Sequence, residues 1–265
     1  MKKQITLFIC VILLLFPAGC GKEKTVEDDV KVTLGNYREV KEKISGMDRD
    51  VTITDDMVTD YMGQMLDYYN QMAEETLYPG TLTDSQVKDA FEMESVKSFR
   101  DFVRETLEKE EKERRQAEIW ESASDELLLI CSVEPFPEKE LENRMEACQS
   151  QSEKLCMDYY GVSFEEFLKQ AGFTAKQYEE ELRQRMEETI QLEHILSAIG
   201  DKEGITYEED EWKEYVTGLM EAYGYEDESE LYKDQNEEAL RAGLKINKTA
   251  EWFMGPDKNN KTGLQ

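Results

Sequence analysis

Residues 96–133 read VKSFRDFVRETLEKEEKERRQAEIWESASDELLLICSV and contain neither glycine nor proline. Nothing in the segment breaks a helix, so it predicts a single helix of about 35 residues and roughly 50 Å. Its middle, Glu105–Glu118, is almost entirely charged and is expected to face solvent. The predicted apolar side of this helix consists of Phe99, Val103, Leu107, Ala117, Trp120, Leu127 and Ile130.

Helix start signals recur along the rest of the chain. The capping-box pattern, Ser or Thr followed three residues later by Glu or Gln, occurs at 83–86, 163–166, 174–177 and 206–209, and Thr54 is a further predicted N-cap. One short strand is predicted around 30–34, where apolar and polar residues alternate. The fold class is therefore predicted to be mainly all-α. The further helices are predicted at about 55–75, 84–91, 137–160, 164–171, 175–199, 207–224, 228–234 and 237–253.

The charge balance excludes several classes of function. The chain has 60 acidic residues against 32 basic ones, a net charge of −28, which disfavours binding to nucleic acid because phosphates require a basic footprint. His194 is the single histidine, which all but excludes a histidine-based metal site. The acidic runs 208–211 and 226–230 lack the residue spacing of a calcium-binding loop. We therefore predict no metal, no cofactor and no catalytic residue.

Three cysteines, Cys131, Cys148 and Cys156, fall within the predicted helical body. Cys148 and Cys156 are eight residues apart in a helical pattern, about 12 Å along the axis, which is too far for a disulfide. An odd number of cysteines leaves at least one thiol unpaired. Buried free thiols are the expected state.

The N-terminus has the pattern of a secretion signal. Two lysines precede an apolar stretch of about twelve residues, which is too short to span a membrane, and Ala18-Gly19-Cys20 resembles a bacterial lipobox. We expect residues 1–19 to be a signal peptide, Cys20 to be acylated and 20–31 to be a tether. The protein would then be extracytoplasmic and anchored in a lipid bilayer. The alternative is an ordinary signal peptide with a chance cysteine.

Eight segments of the chain follow a known family pattern in their order and spacing. They are 32–40, which resembles a strand, and 51–58, 82–87, 95–108, 163–168, 178–182, 204–210 and 240–253. Through these segments residues 32–254 resemble the C-terminal, substrate-cradling domain of the chaperone trigger factor, and a related helical scaffold occurs in parvulin-type periplasmic and surface chaperones. The resemblance implies an elongated, multi-helix chaperone domain over 32–254, built as arms around the long helix, followed by a flexible tail at 255–265.

Two parts of that family have no counterpart in the sequence. A signal peptide stands where the ribosome-binding domain would be, so no ribosome is expected as a partner. The isomerase domain would fall between Ala73 and Thr81, where seven residues stand. The resemblance therefore implies an ATP-independent holdase or folding factor for unfolded exported polypeptides. Two alternatives remain open: a peptidyl-prolyl isomerase, which family membership alone would suggest, and an assembly subunit dedicated to one partner.

Methionines and aromatic residues are the candidate client-binding side chains, because flexible thioethers and amphipathic rings adapt to many partners. One predicted helix carries Met57, Tyr61, Met65, Tyr69 and Met72 on one side, broadened by Val58, Met62 and Leu66. One flank of this set is expected to pack while the other stays open. The predicted client-binding residues are therefore Tyr61, Met65, Tyr69 and Met72, with a second group at Tyr159, Phe164 and Phe167.

Overall fold

The structure is a computed structural model that describes residues 30–47, 49–73 and 76–255. In that part of the chain ten α-helices, one π-helical turn and two short strands are found, which confirms the mainly all-α prediction. The elements are β1 (Lys31–Thr33), α1 (Tyr37–Ser45), α2 (Asp55–Asn70), α3 (Asp84–Phe91), α4 (Val96–Ile130), β2 (Ser132–Glu134), α5 (Glu138–Leu155), the π-turn (Cys156–Tyr160), α6 (Phe164–Ala171), α7 (Ala175–Glu203), α8 (Glu209–Tyr223), α9 (Glu228–Asp234) and α10 (Glu237–Met254).

Helix α4 confirms the long uninterrupted helix, with 35 residues. Most of its charged middle is exposed, as predicted. The predicted apolar side is wrong at Ala117 and Ile130, which are exposed, whereas Ile119 and Ala123, which the prediction left out, are buried. Ile119, Ala123 and Leu127 form a row at i, i+4 spacing, and Ala117 lies about 200° around the helix from Ile119.

Most of the predicted helix starts are confirmed. Thr83 and Thr174 each form a complete capping box at the start of α3 and α7. The Ser163 hydroxyl accepts a hydrogen bond from the backbone N–H of Glu166 at 3.2 Å and begins α6. These side chains satisfy N–H groups that a helix leaves without an internal partner.

The capping box predicted at Thr206 is wrong. Helix α8 begins later, and its N-cap is Glu208, whose N–H donates to the Glu211 carboxylate at 2.8 Å. Glu211 in turn pairs with Lys248 at 2.6 Å. A carboxylate near a helix N-terminus is favoured by the helix dipole, so the acidic run supplies the cap that Thr206 was expected to supply.

Helix α2 starts where predicted, with Thr54 as its N-cap, but it ends at Asn70 rather than near residue 75. The Asn70 side-chain amide donates to the Leu77 carbonyl at 2.9 Å, and its oxygen accepts from the Leu77 N–H at 2.8 Å. These two bonds hold the following loop against the end of the helix, because an Asn side chain can replace a backbone partner.

The predicted N-terminal strand pairs with a second strand that the sequence analysis missed. β1 and β2 are antiparallel, with Val32 opposite Val133. Gly35 follows β1 at a point where a Cβ atom would lie 2.4 Å from the Ile130 carbonyl oxygen. A residue without a side chain is therefore needed for the chain to pass the end of α4.

The strand predicted over 32–40 by resemblance is wrong beyond β1, because α1 begins at Tyr37. Tyr37, Val40 and Ile44 are buried, and their spacing is that of a helix face. Lys41 is also buried, and its ammonium donates to the carbonyls of Trp252 at 2.8 Å and Gly255 at 3.0 Å. A cation placed there complements the C-terminal end of α10.

The described residues divide into two compact units, one within residues 46–122 and the other made of 30–45 and 123–255. The smaller unit has a core of Val58, Met62, Val87, Phe99, Val103 and Leu107. The larger unit contains two separate clusters, one between α5, α6 and α7 and one between α8, α9 and α10. In the larger unit α7 also packs on α10, where Gly200 lies beside Thr249.

The three cysteines are free and buried, as predicted. Residues 1–29 and 256–265 lie outside the described part, so the predicted signal peptide, Cys20, most of the tether and most of the tail lie outside it as well. Among the helices that are described, none combines the length and apolarity needed to cross a bilayer.

Candidate functional site

The larger unit contains an open groove between α5, the π-turn, α6 and α7. The chain turns twice between the elements that line it, at Gly161 with φ 64° before α6 and at Gly172 with φ 82° after α6. Both glycines adopt the left-handed conformation that ends a helix at little cost. Caps at Ser163 and Thr174 then start α6 and α7 at defined points. These local signals bring three helix ends together around one volume.

The groove has a volume of about 740 Å³ and an apolar floor. Leu168, Tyr178 and Leu182 form the buried part of the floor and belong to the core cluster beneath it. Phe164 contacts Tyr178 edge-on, with ring centroids 4.9 Å apart. The apolar lining is Met145, Met157, Phe164, Leu168, Tyr178 and Leu182.

Part of this apolar lining is open to solvent. Met157 is 56% exposed, and Met145 and Phe164 are half-buried. Removing exposed apolar area from water is favourable by about 25 cal/mol per Å². The groove can therefore gain free energy by covering these side chains with an apolar ligand.

Carboxylates surround the opening. Glu142, Glu146 and Glu153 on α5, Glu165 on α6 and Glu179 on α7 line the groove and are all exposed. In the described part of the chain none of the five forms an ion pair with a basic side chain. The one lining cation, on Arg183, already pairs with Glu138 at 3.7 Å and Glu187 at 3.3 Å.

A partly buried ion network joins α5 to α7 in the same unit. Arg144 contacts Glu140 and Glu193, each at 2.5 Å, and His194 Nε2 lies 3.3 Å from Glu140. Burial disfavours the charged form of Glu140, but the hydrogen bond with His194 and the charge of Arg144 outweigh it and hold the pKa of Glu140 below its ordinary 4.5. The network helps to fix the two helices that form the walls of the groove.

A second polar contact lies directly under the groove floor. The Tyr178 hydroxyl is 3.3 Å from the Ser152 hydroxyl, which donates to the Cys148 carbonyl at 2.8 Å. Burial raises the pKa of Tyr178 and that of the Cys148 thiol. Both groups are thus kept neutral, and the contact orients the Tyr178 ring without placing a charge in the floor.

The second predicted group of client-binding residues lies around this groove. Phe164 lines it directly. Phe167 is half-buried and packs against Tyr160, with ring centroids 5.3 Å apart. Tyr159 is 79% exposed on the π-turn. The structure therefore places Phe164 in the lining of the groove, and Phe167 and Tyr159 outside that lining.

The first predicted group lies in the smaller unit, on α2. Tyr61, Met65 and Tyr69 are half-buried, and Met72, just beyond the helix, is 72% exposed. The Tyr61 hydroxyl donates to Glu110 at 3.1 Å. Beside this face Val58, Met62 and Leu66 are fully buried. The burial pattern therefore confirms that the helix has a packed flank and a more open flank. The client-binding role of these residues stays a prediction.

Sequence reasoning missed Met157 and the ring of carboxylates. Met145 was visible as part of an apolar helical stripe, but Met157 stands in the π-turn, where the α-helical period no longer applies. The carboxylates belong to three different helices, so no run of sequence brings them together. Within the described residues no cluster of His, Cys, Asp and Glu could hold a metal ion.

The comparisons with known proteins give a consistent result. Residues 95–254 match the family described as "Bacterial trigger factor protein (TF) C-terminus". The chain is 26% identical over 175 residues to trigger factor of Clostridioides difficile, covering 65% of this chain and 40% of that protein. It is 23% identical over 167 residues to trigger factor of Ureaplasma urealyticum, covering 63% of this chain and 35% of that protein.

A third relative, trigger factor of Moorella thermoacetica, is 24% identical over 177 residues, covering 67% of this chain and 39% of that protein. In each of these comparisons the match spans two-fifths or less of the relative's own length. No solved structure matches the chain.

Proposed function

Since this chain belongs to the family of the bacterial trigger factor C-terminus, a chaperone-like family, we propose that it is an ATP-independent holdase for unfolded exported polypeptides. The observation that carries the proposal is the groove between α5, α6 and α7. It is wide, open and floored with apolar side chains, and it contains two methionines, whose flexible thioethers adapt to many partners. A holdase needs such a surface, because its clients differ in sequence but all expose apolar segments.

The proposal includes an anchor. Acylation of Cys20 would fix the protein to the outer face of a membrane, and the polar residues 21–29 would act as a short flexible tether. The strongly acidic body would be repelled by anionic lipids. The chaperone would therefore work away from the bilayer surface, where exported chains emerge.

The test uses the protein purified in the form that cells produce, mixed with a chemically denatured client that aggregates on dilution. The wild-type protein should suppress light scattering at near-stoichiometric amounts without ATP. Met157→Ser combined with Phe164→Ser should weaken suppression while the protein stays folded by circular dichroism. Leu129→Ser is the matched control, because Leu129 is 83% exposed on α4 and does not line the groove.

The outcomes separate the alternatives. If the wild-type protein does not suppress aggregation, the holdase proposal is wrong. A pull-down that recovers many unrelated exported proteins supports it, whereas one stoichiometric partner supports a dedicated assembly subunit. A saturable acceleration of prolyl cis–trans exchange, lost on unfolding, would support the isomerase alternative.

A further inference from the structure

The groove between α5, α6 and α7 combines an apolar floor with carboxylates on all three helices, and this combination favours one class of ligand. The inference rests on the proposed function. We propose that the groove binds a basic amphipathic helix, a segment whose apolar stripe is bordered on both sides by Lys or Arg.

The length of the groove matches a helix of several turns. Along α5 and into the π-turn the lining runs from Glu142 to Met157. At about 1.5 Å per residue these positions are roughly 22 Å apart, which corresponds to about four turns of a ligand helix. Helices that dock in grooves use apolar anchors at i, i+3, i+4 and i+7, a single stripe that an apolar floor can bind.

Charge is placed on both sides of the apolar floor. Glu142, Glu146 and Glu153 belong to α5, whereas Glu165 and Glu179 belong to α6 and α7. A helix projects side chains around its circumference, so it can direct apolar residues to the floor and basic residues to both walls. Successive side chains of an extended segment alternate between two opposite directions and cannot serve the floor and both walls together.

The carboxylates have no ion-pair partner in the described part of the chain and can pair with a ligand; among them Glu153 accepts a hydrogen bond from the Gln149 side chain at 3.1 Å. Five carboxylates and one guanidinium line the groove, and Arg183 is engaged by glutamates outside it. Elsewhere in the described chain many glutamates are paired, for example Glu203 with Arg38 and Glu211 with Lys248. A cationic ligand would relieve repulsion among the five and would be attracted over a Debye length of about 10 Å at moderate ionic strength.

The methionines favour a ligand class rather than one sequence. Met145 and Met157 line the groove, one in α5 and one in the π-turn. Unbranched, polarizable side chains repack around ligands of different shape. The pattern of charges would therefore select the ligand, and the floor would accept Leu, Ile, Phe or Met anchors alike.

The experiment uses three labelled synthetic peptides of about 18 residues, long enough for five helical turns. The first is a Leu/Lys amphipathic helix, the second has the same composition with its apolar periodicity scrambled, and the third replaces every Lys by Glu. Binding to the protein as cells produce it is measured by fluorescence anisotropy, and helix formation in the peptide by circular dichroism. The amphipathic Lys peptide should bind at least about tenfold more tightly than either of the others and gain helicity on binding.

Charge-neutral variants locate the interaction. Glu142→Gln, Glu146→Gln and Glu179→Gln together should weaken binding of the amphipathic Lys peptide by about tenfold and reduce its salt dependence. The matched control combines Glu42→Gln, Glu214→Gln and Glu221→Gln. These three residues are exposed and lie outside the groove, so the control should bind as the wild type does.

The possible results distinguish this inference from the proposed function. Equal binding of all three peptides, or equal loss in both triple variants, overturns the inference. If that happens while the wild-type protein still suppresses aggregation, the holdase proposal stands and only the ligand class is wrong. If the peptides are discriminated as expected but aggregation is not suppressed, the holdase proposal fails and the ligand class stands.

Discussion

Two glycines within helices have opposite surroundings. A Cβ atom on Gly200 of α7 would lie 2.5 Å from the Thr249 hydroxyl oxygen of α10, and Thr249 is fully buried. A Cβ atom on Gly218 of α8 would meet no atom within 4 Å. The same substitution should therefore have opposite effects at the two positions.

Gly200→Ala is expected to lower the unfolding free energy by about 1–3 kcal/mol, because overpacking between two helices forces a shift in one of them. Gly218→Ala should raise it by about 0.5–1 kcal/mol, because alanine loses less backbone entropy in a helix. Urea unfolding of both variants measures the difference. If both substitutions raised the unfolding free energy, α7 and α10 would be able to move apart without a loss of stability, and the predicted clash at Gly200 would be wrong.

The ion network around Glu140 predicts a pH dependence. Its carboxyl has a folded-state pKa below the ordinary 4.5, so its stabilising contribution is complete above that value and is lost as pH falls through the folded pKa. Glu140→Gln should lower stability at pH 7 by about 1.5–3 kcal/mol, since a hydrogen bond to a charged group is lost. The difference from wild type should shrink as the pH falls below 4.5.

Thermal melts from neutral to acidic pH check this expectation. The control is Glu142→Gln on the same helix, where the carboxylate is exposed and forms no ion pair with a described basic side chain. A gap between wild type and Glu140→Gln that is independent of pH would mean that the Glu140 charge does not contribute.

At the scale of elements, α2 has a packed flank and a partly open flank. Tyr61→Ser with Met65→Ser should weaken suppression of client aggregation more than it lowers stability, because both side chains are half-buried. A fully buried residue behaves differently, and Met62→Ser in the same helix should cost about 2–5 kcal/mol. Melts and aggregation assays on the same samples decide the matter. If the double variant unfolds readily while its folded fraction still protects clients, the two residues are part of the core.

The elements that the sequence predicted well have strong local signals. Helices α6 and α9 begin and end as predicted, because Ser163 caps the first and Asp227 the second. Strand β2 was missed because its three residues are stable only through pairing with β1, about a hundred residues away. The same holds for the site. Phe164 could be predicted from the sequence of its own helix, whereas the groove forms only where three helices meet.

At the scale of the whole molecule, the predicted lipid anchor at Cys20 can be tested independently of the helical fold. Cys20→Ala should leave a protein that is uncleaved or released and that no longer partitions into the detergent phase, because the acyl chains supply the membrane affinity. Phase partitioning and the mass of the mature N-terminus measure this. If the variant partitions as the wild type does, the prediction of lipidation at Cys20 is wrong.

The π-turn at Cys156–Tyr160 makes the groove sensitive to the loss of a single residue in this segment. A π-turn holds one residue more than the α-helical turn it replaces. Loss of a single codon there would restore a regular helix and rotate the residues that follow by about 100° around the helix axis. Their side chains would then no longer point into the groove. When sequences of relatives are compared, a one-residue gap at 156–160 would therefore separate chains that keep this groove from chains that have lost it.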